Sequence, residues 1–251
     1  MKIGFFDSGV GGLIILKAVR AYIPEYDYVF LGDTANLPYG DKSENEIYKL
    51  TKSGIVRLFE EGAVLVIVAC NTASAESLRK LQDTFLSKEH PGKKVLGVII
   101  PTIETLERFH AVRPLLIATK MTIKSKKFEI ELNKINSDIK LLSIATPNLV
   151  PLIEDNKNEE AFQSVKDTID PVVGEIDAIV LGCTHYTMLK NRLKAEYKIP
   201  VISQDEIIPE KLKLYLYNHS EIKNQLSTGS SVEIILTKES GYYDNIKDRL
   251  L

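Results

Sequence analysis

The sequence of 251 residues has few cysteines, little net charge and no long apolar run, and each absence excludes a class of protein. Two cysteines, Cys70 and Cys183, are too few and too far apart for a disulfide scaffold, which favours reduced thiols in the cytosol. A formal net charge of −2 gives no reason to expect a nucleic-acid partner. No apolar run reaches the roughly 20 residues of a membrane span, and Asp7 interrupts the first apolar segment too early for a signal peptide. We therefore expect a cytoplasmic protein that binds neither nucleic acid nor membrane.

The composition is that of an ordinary globular protein, with 44% hydrophobic and 26% charged residues. Short apolar runs rich in β-branched residues alternate with segments of helical periodicity. The predicted strands cover residues 3–6, 28–31, 64–69, 95–99, 114–118, 140–144, 178–181 and 201–202. The predicted helices cover residues 13–22, 44–61, 75–85, 103–110, 124–135, 158–169, 187–195 and 205–217. This alternation predicts doubly wound α/β packing around parallel strands, although eight strands also fit a closed (β/α)8 barrel.

The chain divides near Pro101, which leaves one cysteine in each half. Irregular loop lengths and the breaks at Pro101 and Pro147 favour two sheets over one closed barrel. A late apolar run at residues 232–236 can return to the first sheet. The sequence therefore predicts two doubly wound, pseudo-symmetric α/β domains with mainly parallel sheets and the active site in the cleft between them. The first domain comprises residues 1–98 plus 206–251, and the second comprises residues 99–205.

The two cysteines have matching surroundings. Cys70 follows the apolar run 64–69 and precedes Asn71-Thr72-Ala73-Ser74, whereas Cys183 follows the run 178–182 and precedes Thr184-His185-Tyr186-Thr187. Open α/β sheets bind ligands at the carboxyl ends of their strands, and a helix N-terminus stabilises a thiolate. Free cysteines are also common as inert core residues. Two of them in the same context favour paired catalytic groups that face one cleft.

A glycine-rich loop, Asp7-Ser8-Gly9-Val10-Gly11-Gly12, follows the first strand and precedes a helix. Such loops let backbone N–H groups approach an anion, but this one lacks both the G-x-G-x-x-G pattern and the Lys-Ser/Thr of a P-loop. A substrate carboxylate is therefore a more suitable ligand for this loop than a nucleotide. Asp7 is unusual at an anion site, so it either caps the following helix or serves a cation or a proton transfer.

Several other polar residues have both a structural and a functional interpretation. Pro38-Tyr39-Gly40 is typical of a turn, Thr119 and Thr122 can bind a carboxylate or start a helix, and Glu154 is typical of a solvated charge. His185 is a candidate acid or base partner of Cys183. A Cys–His hydrolase would leave the second cysteine without a role. A zinc site would need the C-x2-C pairing that the chain lacks, so we expect no metal.

Six segments together resemble the cofactor-independent glutamate racemases of bacterial cell-wall synthesis, and they occur in the order typical of that family. They are residues 6–12, residues 32–35 with 38–40, residues 68–75, Thr119 with residues 122–125, residues 150–154 and residues 181–186. The match covers residues 3 to about 187, and the last part of the chain matches loosely. Aspartate racemases typically carry Glu at the position of His185 and lack the glycine-rich opening, so the resemblance points to glutamate.

The resemblance implies a racemase that uses two bases and no cofactor. Cys70 would act on D-glutamate with Asp7 nearby, and Cys183 would act on L-glutamate with His185 nearby. The residues that would hold the amino acid are Asp7, Ser8, Pro38, Tyr39, Gly40, Asn71, Thr72, Thr119, Thr122, Thr184 and His185. Glu154 corresponds to an acidic residue near the substrate amino group and is carried over with the catalytic residues. The resemblance also implies a homodimer.

The chain departs from the family pattern at positions that are not predicted proton carriers, namely Ile14, Asn36, Ile100, Thr102 and Thr187. Ile100 and Thr102 lie near the predicted connection between the domains, so domain closure, oligomer contacts and regulation do not transfer directly. Two other kinds of function stay open. One is another racemase, a decarboxylase or an isomerase of the same superfamily, and the other is a non-catalytic glutamate-binding regulator. A regulator would be marked by the loss of one base, and here both cysteines are present.

Overall fold

A computed structural model describes residues 1–239, and the strands of this region form two parallel sheets. The first sheet contains β1 Lys2–Asp7, β2 Tyr28–Gly32, β3 Ala63–Val68, β4 Lys94–Gly97 and β9 Val232–Leu236. The second contains β5 Pro114–Ala118, β6 Leu142–Ala145, β7 Ala178–Gly182 and β8 Val201–Ile202. Their orders are β4-β3-β1-β2-β9 and β6-β5-β7-β8. Two separate sheets confirm the predicted doubly wound α/β class and exclude the closed barrel.

In each sheet the strand order reverses beside one central strand. In the first sheet, β2 lies on one side of β1 and β3 lies on the other. In the second sheet, β6 and β7 lie on opposite sides of β5 in the same way. A crevice opens at the carboxyl ends of the strands where the order reverses. Asp7 and Cys70 flank this crevice in the first sheet, and Thr119 and Cys183 flank it in the second. The two cysteines therefore occupy equivalent positions, after β3 and after β7.

Helices and short helical turns connect the strands and cover the sheets. Those of the first half are α1 Gly12–Tyr22, α2 Glu44–Glu60, α3 Asn71–Lys80, which continues through a π-helical turn at Leu81–Leu86, and α4 Ser87–Glu89. Those that follow are α5 Ile99–Arg108, α6 Lys120–Lys124, α7 Lys127–Ile135, α8 Leu149–Glu154, α9 Asn158–Ile169, α10 Lys190–Glu196, α11 Gln204–Asn218 and α12 Ser220–Lys223.

Some predicted strands and helices differ from the structure where a local feature overrides the apolar periodicity. The predicted strand 95–99 is too long, because Ile99 already begins α5 and Pro101 lies in its first turn, where proline is tolerated. The predicted helix 124–135 is two helices, since Lys126 adopts a left-handed conformation with φ of 52° and interrupts it. The helix α8 was not predicted, because its six residues include Pro151 and are too few to show a period.

The inner strands of each sheet are buried on both faces, whereas the edge strands β6 and β9 are partly exposed. Alternate residues of β1 belong to opposite apolar clusters, so Phe5 packs on one face and Phe6 on the other. The second sheet repeats the pattern, with Ile117 and Leu116 of β5 in different clusters. This two-sided burial explains why the strands read as continuous apolar runs in the sequence. The polar residues that follow the strands therefore gather at the carboxyl ends.

The predicted late strand is confirmed as β9, which pairs in parallel with β2 at the edge of the first sheet. In α11, Ile208 and Leu212 join an apolar cluster of the first sheet, although Ile207 joins a cluster of the second. These contacts support the division into residues 1–98 plus 206–251 and residues 99–205, which stays a prediction. The part of the first domain predicted for residues 240–251 lies outside the described residues.

Candidate active site

The carboxyl ends of both sheets face one narrow cleft. Residues from both halves line it: Ser8, Leu37, Pro38, Tyr39, Gly40, Asp41, Cys70, Asn71, Thr72, Thr119, Lys120, Pro147, Val150, Cys183, Thr184 and His185. Most of the residues proposed from the sequence are in this set. Asp7, Thr122 and Glu154 instead lie behind the lining and contact it. The thiols of Cys70 and Cys183 thus share a single cavity, and both residues are nearly enclosed, with exposures of 5% and 7%.

Cys70 occupies the N-cap position of α3. Its Sγ accepts a hydrogen bond from the backbone N–H of Ala73 at 3.4 Å and lies 3.3 Å from the Ser8 hydroxyl. Burial and, second to it, the charge of Asp7 raise the pKa of Cys70 to about 12, although the contacts with Ser8 and Ala73 act to lower it. Burial therefore outweighs the expected stabilisation of a thiolate by the helix N-terminus, and the enclosed thiol stays protonated near neutral pH.

Cys183 faces a different partner, His185, which lies two residues further on. Cys183 Sγ is 3.8 Å from His185 Nδ1, and His185 Nε2 is 2.5 Å from Glu154 Oε1. Burial favours the neutral imidazole, but the hydrogen bonds to Cys183 and Glu154 outweigh it and hold the pKa of His185 well above its ordinary value of 6.5. The three side chains form a line in which a positively charged imidazole lies between a sulfur and a carboxylate. Glu154 is thus paired with His185 and is not a freely solvated charge.

Asp7 is fully buried at the end of β1 and connects the two halves. Its Oδ2 accepts a hydrogen bond from the N–H of Gly12, the first residue of α1, at 2.9 Å. Thr184 Oγ1, from the other half, lies 3.3 Å from the same oxygen. Burial raises the pKa of Asp7 above its ordinary value, although the charge of His185 and these hydrogen bonds lower it. Asp7 therefore serves the start of α1, as one sequence interpretation proposed, and at the same time contacts the cleft lining.

Three threonine hydroxyls meet across the cleft. Thr72 Oγ1 at the start of α3 is 2.9 Å from Thr119 Oγ1 and 3.2 Å from Thr122 Oγ1, and the last two are 3.0 Å apart. Thr119 also caps α6 by accepting the N–H of Thr122. Both interpretations of these threonines are therefore compatible, because Thr119 starts a helix and still presents a hydroxyl to the cleft. The two halves of the chain thus both supply hydroxyl groups that can donate a hydrogen bond to a carboxylate.

The loop that carries Tyr39 is fixed by a buried acid that the sequence had not suggested as part of the site. Tyr39 donates its hydroxyl hydrogen to Asp33 Oδ2 at 2.7 Å, and Thr237, after β9, donates to Asp33 Oδ1 at 2.8 Å. Burial raises the pKa of Tyr39, and Asp33 raises it further, so the phenol remains a hydrogen-bond donor. Asp33 lies within a segment that carried the family resemblance, which was the signal available for it.

The lining contains residues that sequence reasoning missed, namely Leu37, Asp41, Lys120, Pro147 and Val150. Most of them flank predicted site residues, and no motif distinguishes them. Lys120 and His185 are the cationic side chains among the lining residues of the described chain. Residues 1–239 hold no group of three or more His, Cys, Asp or Glu arranged to bind a metal ion. Within the same residues, we find no helix with the length and apolar character needed to cross a bilayer.

Gly11 shows why the loop after β1 is glycine-rich. Its backbone, with φ of −59° and ψ of −34°, suits any residue, but an added Cβ would lie 2.6 Å from Thr184 Oγ1 and 2.9 Å from the backbone N of His185. Gly11→Ala should therefore push the two halves apart and lower kcat/KM for glutamate racemisation, the activity implied by the resemblance, by about 10- to 100-fold. Steady-state kinetics of the purified variant measure this effect.

Gly174→Ala is the matched control, because an added Cβ there meets no atom within 4 Å. It should leave the kinetics unchanged and shift the free energy of unfolding by less than about 0.5 kcal/mol. If Gly11→Ala kept the wild-type kcat/KM, the close approach of the two halves at this loop would be irrelevant to the reaction.

Comparison with known proteins gives a consistent family. Residues 14–208 match the family model described as Asp/Glu/Hydantoin racemase. The glutamate racemase of Caulobacter sp. (strain K31) is 37% identical, with 88% of this chain and 87% of that protein covered. The glutamate racemase of Sulfurihydrogenibium sp. (strain YO3AOP1) is 34% identical, with 100% of this chain and 94% of that protein covered.

Solved structures agree with the sequence comparison. The crystal structure of glutamate racemase from Francisella tularensis subsp. tularensis SCHU S4 in complex with D-glutamate superposes with a TM-score of 0.88 and 25% identity, covering 100% of this chain and 93% of that one. Glutamate racemase from Aquifex pyrophilus gives a TM-score of 0.80 at 34% identity, with 100% and 95% of the two chains covered. With two parallel sheets, one shared cleft and a family match over most of its length, this chain belongs to the Asp/Glu/hydantoin racemase family.

Proposed function

We propose that the protein is a glutamate racemase that interconverts L- and D-glutamate with Cys70 and Cys183 as its two bases. The observation that carries the proposal is the equivalent placement of the two thiols, after β3 and after β7, on one cleft lined from both halves. Racemisation must remove a proton from one face of Cα and deliver one to the other face. Two opposed groups of the same chemistry are the minimal apparatus for such a reaction.

The proton balance of one turnover follows from this arrangement. One cysteine, as thiolate, takes the α-proton, and the electron pair of the broken C–H bond stays on Cα as a carbanion. The other cysteine, as thiol, gives its proton to the opposite face and is left as thiolate. The next turnover in the same direction requires the two sulfurs to exchange a proton with solvent or through neighbouring groups. We assign Cys70 to D-glutamate and Cys183 to L-glutamate, as the family resemblance implies.

The different surroundings of the two cysteines give each a separate helper. Asp7, through its negative charge, contributes to the raised pKa of Cys70 and so favours the protonated thiol, the form that delivers a proton to the substrate. His185, held in its charged form by Glu154, supplies a cation next to Cys183. Asp7 and His185 therefore assist proton transfer on opposite faces of the substrate.

Glutamate would be held mainly by neutral hydrogen-bond donors. Ser8, Asn71, Thr72 and Thr184, which carry hydroxyl or amide groups, line the cleft together with Tyr39 and Gly40. Because the α-proton of an amino acid is very weakly acidic, fixed donors around the carboxylate must stabilise the carbanion and position the substrate. The enclosure of the cleft strengthens these interactions by excluding water.

The decisive test is to incubate the protein with L-glutamate in D₂O and follow both chirality and the α-proton. The proposal expects D-glutamate to appear together with deuterium at Cα. Release of CO₂ would indicate a decarboxylase, and glutamate binding in calorimetry without exchange would indicate a regulator. Either result, or the formation of neither D-glutamate nor deuterated product, would overturn the proposal.

Glu154 should control the pH dependence through His185. A His pKa raised by folding contributes stability that is present below about pH 6.5 and is lost as the pH rises through the folded-state pKa. Glu154→Gln removes the negative partner, so the pKa of His185 falls and the alkaline limb of kcat/KM moves to lower pH. We expect about a tenfold loss of kcat/KM at neutral pH. A pH–rate profile of the variant measures the shift.

Asp155→Asn is the control for Glu154→Gln, because the adjacent carboxylate pairs with Lys157 and does not contact His185. Its profile should coincide with that of the wild type. An unchanged alkaline limb in Glu154→Gln would show that the carboxylate does not set the charge of His185.

The cellular role follows from the activity and is also a proposal. A bacterial glutamate racemase supplies D-glutamate for peptidoglycan synthesis, which takes place from cytoplasmic precursors, so we propose the cytoplasm as its location. We also propose a homodimer, as the resemblance implies, and light scattering of the purified protein tests it. A monomeric mass at working concentrations would refute this part of the proposal.

A further inference from the structure

One asparagine and one glutamine side chain form a buried pair beside the cleft, in which each amide donates a hydrogen bond to the other. Asn71 Nδ2 donates to Gln204 Oε1 at 2.9 Å, and Gln204 Nε2 donates to Asn71 Oδ1 at 2.7 Å. Both residues are 2% exposed. Asn71 follows Cys70 directly and lines the cleft, whereas Gln204 is the first residue of α11 and does not belong to the lining. The pair links positions that are 133 residues apart in the chain.

Thr102 fixes the orientation of the two side-chain amides in this pair. Its hydroxyl donates to the backbone oxygen of Val98 at 2.7 Å, so towards Gln204 it can act only as an acceptor. The Gln204 atom 3.4 Å from Thr102 Oγ1 must therefore be Nε2, the donor. Gln204 Oε1 then faces Asn71 Nδ2, which fixes the orientation of the Asn71 amide as well.

We propose that Gln204 and Thr102 are positioning residues that orient the Asn71 amide so that it presents an N–H group to a substrate carboxylate. One hydrogen of Asn71 Nδ2 is taken by Gln204, and the second has no other side-chain partner within residues 1–239. With the amide reversed, Asn71 would turn its oxygen towards the carboxylate, and the two acceptors would repel each other. This inference rests on the proposed function, in which Asn71 binds glutamate.

The same chain of hydrogen bonds joins the substrate contact to both connections between the sheets. Thr102 lies on α5, through which the chain passes from the first sheet to the second. Gln204 lies at the point where the chain passes from β8 to α11. The preceding residue, Ser203, forms hydrogen bonds with Thr187 and Asp205. A movement of one half against the other therefore displaces the partner of Asn71. The orientation of the Asn71 donor therefore depends on how the two halves are placed against each other.

The test is a double-mutant cycle between Gln204→Leu and Asn71→Ala. Gln204→Leu keeps the side-chain size but removes both hydrogen bonds to Asn71 and the one to Thr102, so KM for both enantiomers should rise about tenfold while kcat changes less than threefold. In the Asn71→Ala background, Gln204→Leu should have no further effect on KM, since its influence passes through Asn71. A glutamine with a purely structural role would lower the melting temperature but would not give this dependence on Asn71. An unchanged KM, or additive effects in the cycle, would overturn the inference.

Thr102 provides a second route if Gln204→Leu folds poorly. Thr102→Val removes the acceptor and should raise KM, whereas Thr102→Ser retains the hydroxyl and should restore the wild-type value. Gln82→Leu is the matched control, because Gln82 donates to the Val95 backbone oxygen at 2.8 Å and does not line the cleft. Its KM should not change. If Thr102→Ser behaved like Thr102→Val, the hydroxyl would have no role in orientation.

A readout without turnover separates this inference from the proposed function. The side-chain NH₂ signals of Asn71 and Gln204 in ¹⁵N NMR of the full chain should exchange slowly with solvent and should lose that protection in Thr102→Val. This result would hold even if the wild type failed to racemise glutamate, which would refute the proposed function alone. Rapid exchange of both NH₂ groups in the wild-type protein would overturn the oriented pair itself.

Discussion

Replacing Cys183 with alanine is expected to remove measurable racemisation in both directions, a loss of at least about 10³-fold. Cys183 and Cys70 are the two thiols of the chain, so no other sulfur can take over the lost face of the substrate. Without Cys183 the carbanion can still form on the side of Cys70, but it can regain a proton on that side alone. Cys70→Ala should lose racemisation for the mirror-image reason.

Hydrogen exchange reveals what each single variant retains. In D₂O, Cys183→Ala should exchange the α-proton of D-glutamate and leave that of L-glutamate untouched, because Cys70 faces the D-enantiomer in our assignment. Cys70→Ala should show the opposite preference. Both experiments are read by proton NMR, and the wild type should label both enantiomers. Reversed preferences would exchange the assignment of the faces, whereas full racemisation by either variant would refute the two-base mechanism.

Ser77→Ala is the matched control for the cysteine variants. Ser77 is fully buried on α3, the helix that Cys70 caps, and its hydroxyl has no hydrogen-bond partner in the described structure. Its loss should leave both kinetics and melting temperature close to those of the wild type. The cysteine variants should also melt within a few degrees of the wild type, because each loses a single sulfur at the edge of an apolar cluster, where that cluster meets the cleft.

The sheets and the two thiols were predictable because their signals are local. Strands buried on both faces appear as short apolar runs, and each of the two cysteines stands directly after such a run. The matching positions of Cys70 and Cys183 could therefore be inferred from the order of residues alone. The two-sheet class followed from the alternation of strands and helices, although the sequence could not by itself exclude a closed barrel.

The partners of the site residues were not predictable in the same way. Glu154 reaches His185 from a short helix that contains Pro151, and nothing in its neighbourhood distinguishes it from a surface acid. Gln204 reaches Asn71 across 133 residues. Such contacts depend on how the two sheets are placed against each other. A single sequence carries no periodic or motif signal for that placement.

The equivalence of the two thiols is topological, and their electrostatic surroundings differ. Cys70 lies near a buried carboxylate, whereas Cys183 lies against an imidazole that is held in its charged form. Nevertheless, L- and D-glutamate have equal free energies in water, so kcat/KM must be the same for both directions in any variant. Unequal roles of Asp7 and His185 can therefore appear as different kcat values and different KM values for the two enantiomers, or as α-deuterium exchange of one enantiomer alone. They cannot appear as different values of kcat/KM.

Asp7→Asn tests this asymmetry, and its effect on the rate should be second to that of the cysteine variants. Asparagine has the same shape and can still accept the N–H of Gly12 and donate to Thr184, so the fold should persist. Without the charge, the protonated thiol of Cys70 is less favoured, and no carboxylate remains near it to take up or release a proton. We expect kcat/KM to fall about 10²-fold in both directions, with α-deuterium exchange of D-glutamate slowed more than that of L-glutamate.

Stability should move the other way in Asp7→Asn, which separates a catalytic effect from damage to the fold. Because burial raises the pKa of Asp7, its ionised form is disfavoured in the folded protein at pH values above the unfolded pKa, and a neutral amide removes that cost. The melting temperature at pH 7 should therefore not fall. Asp83→Asn serves as the control, since Asp83 pairs with Arg79 at the surface and does not line the cleft, and its kcat/KM should change less than threefold. If Asp7→Asn slowed exchange of both enantiomers equally, Asp7 would act on the whole site and not on Cys70 alone.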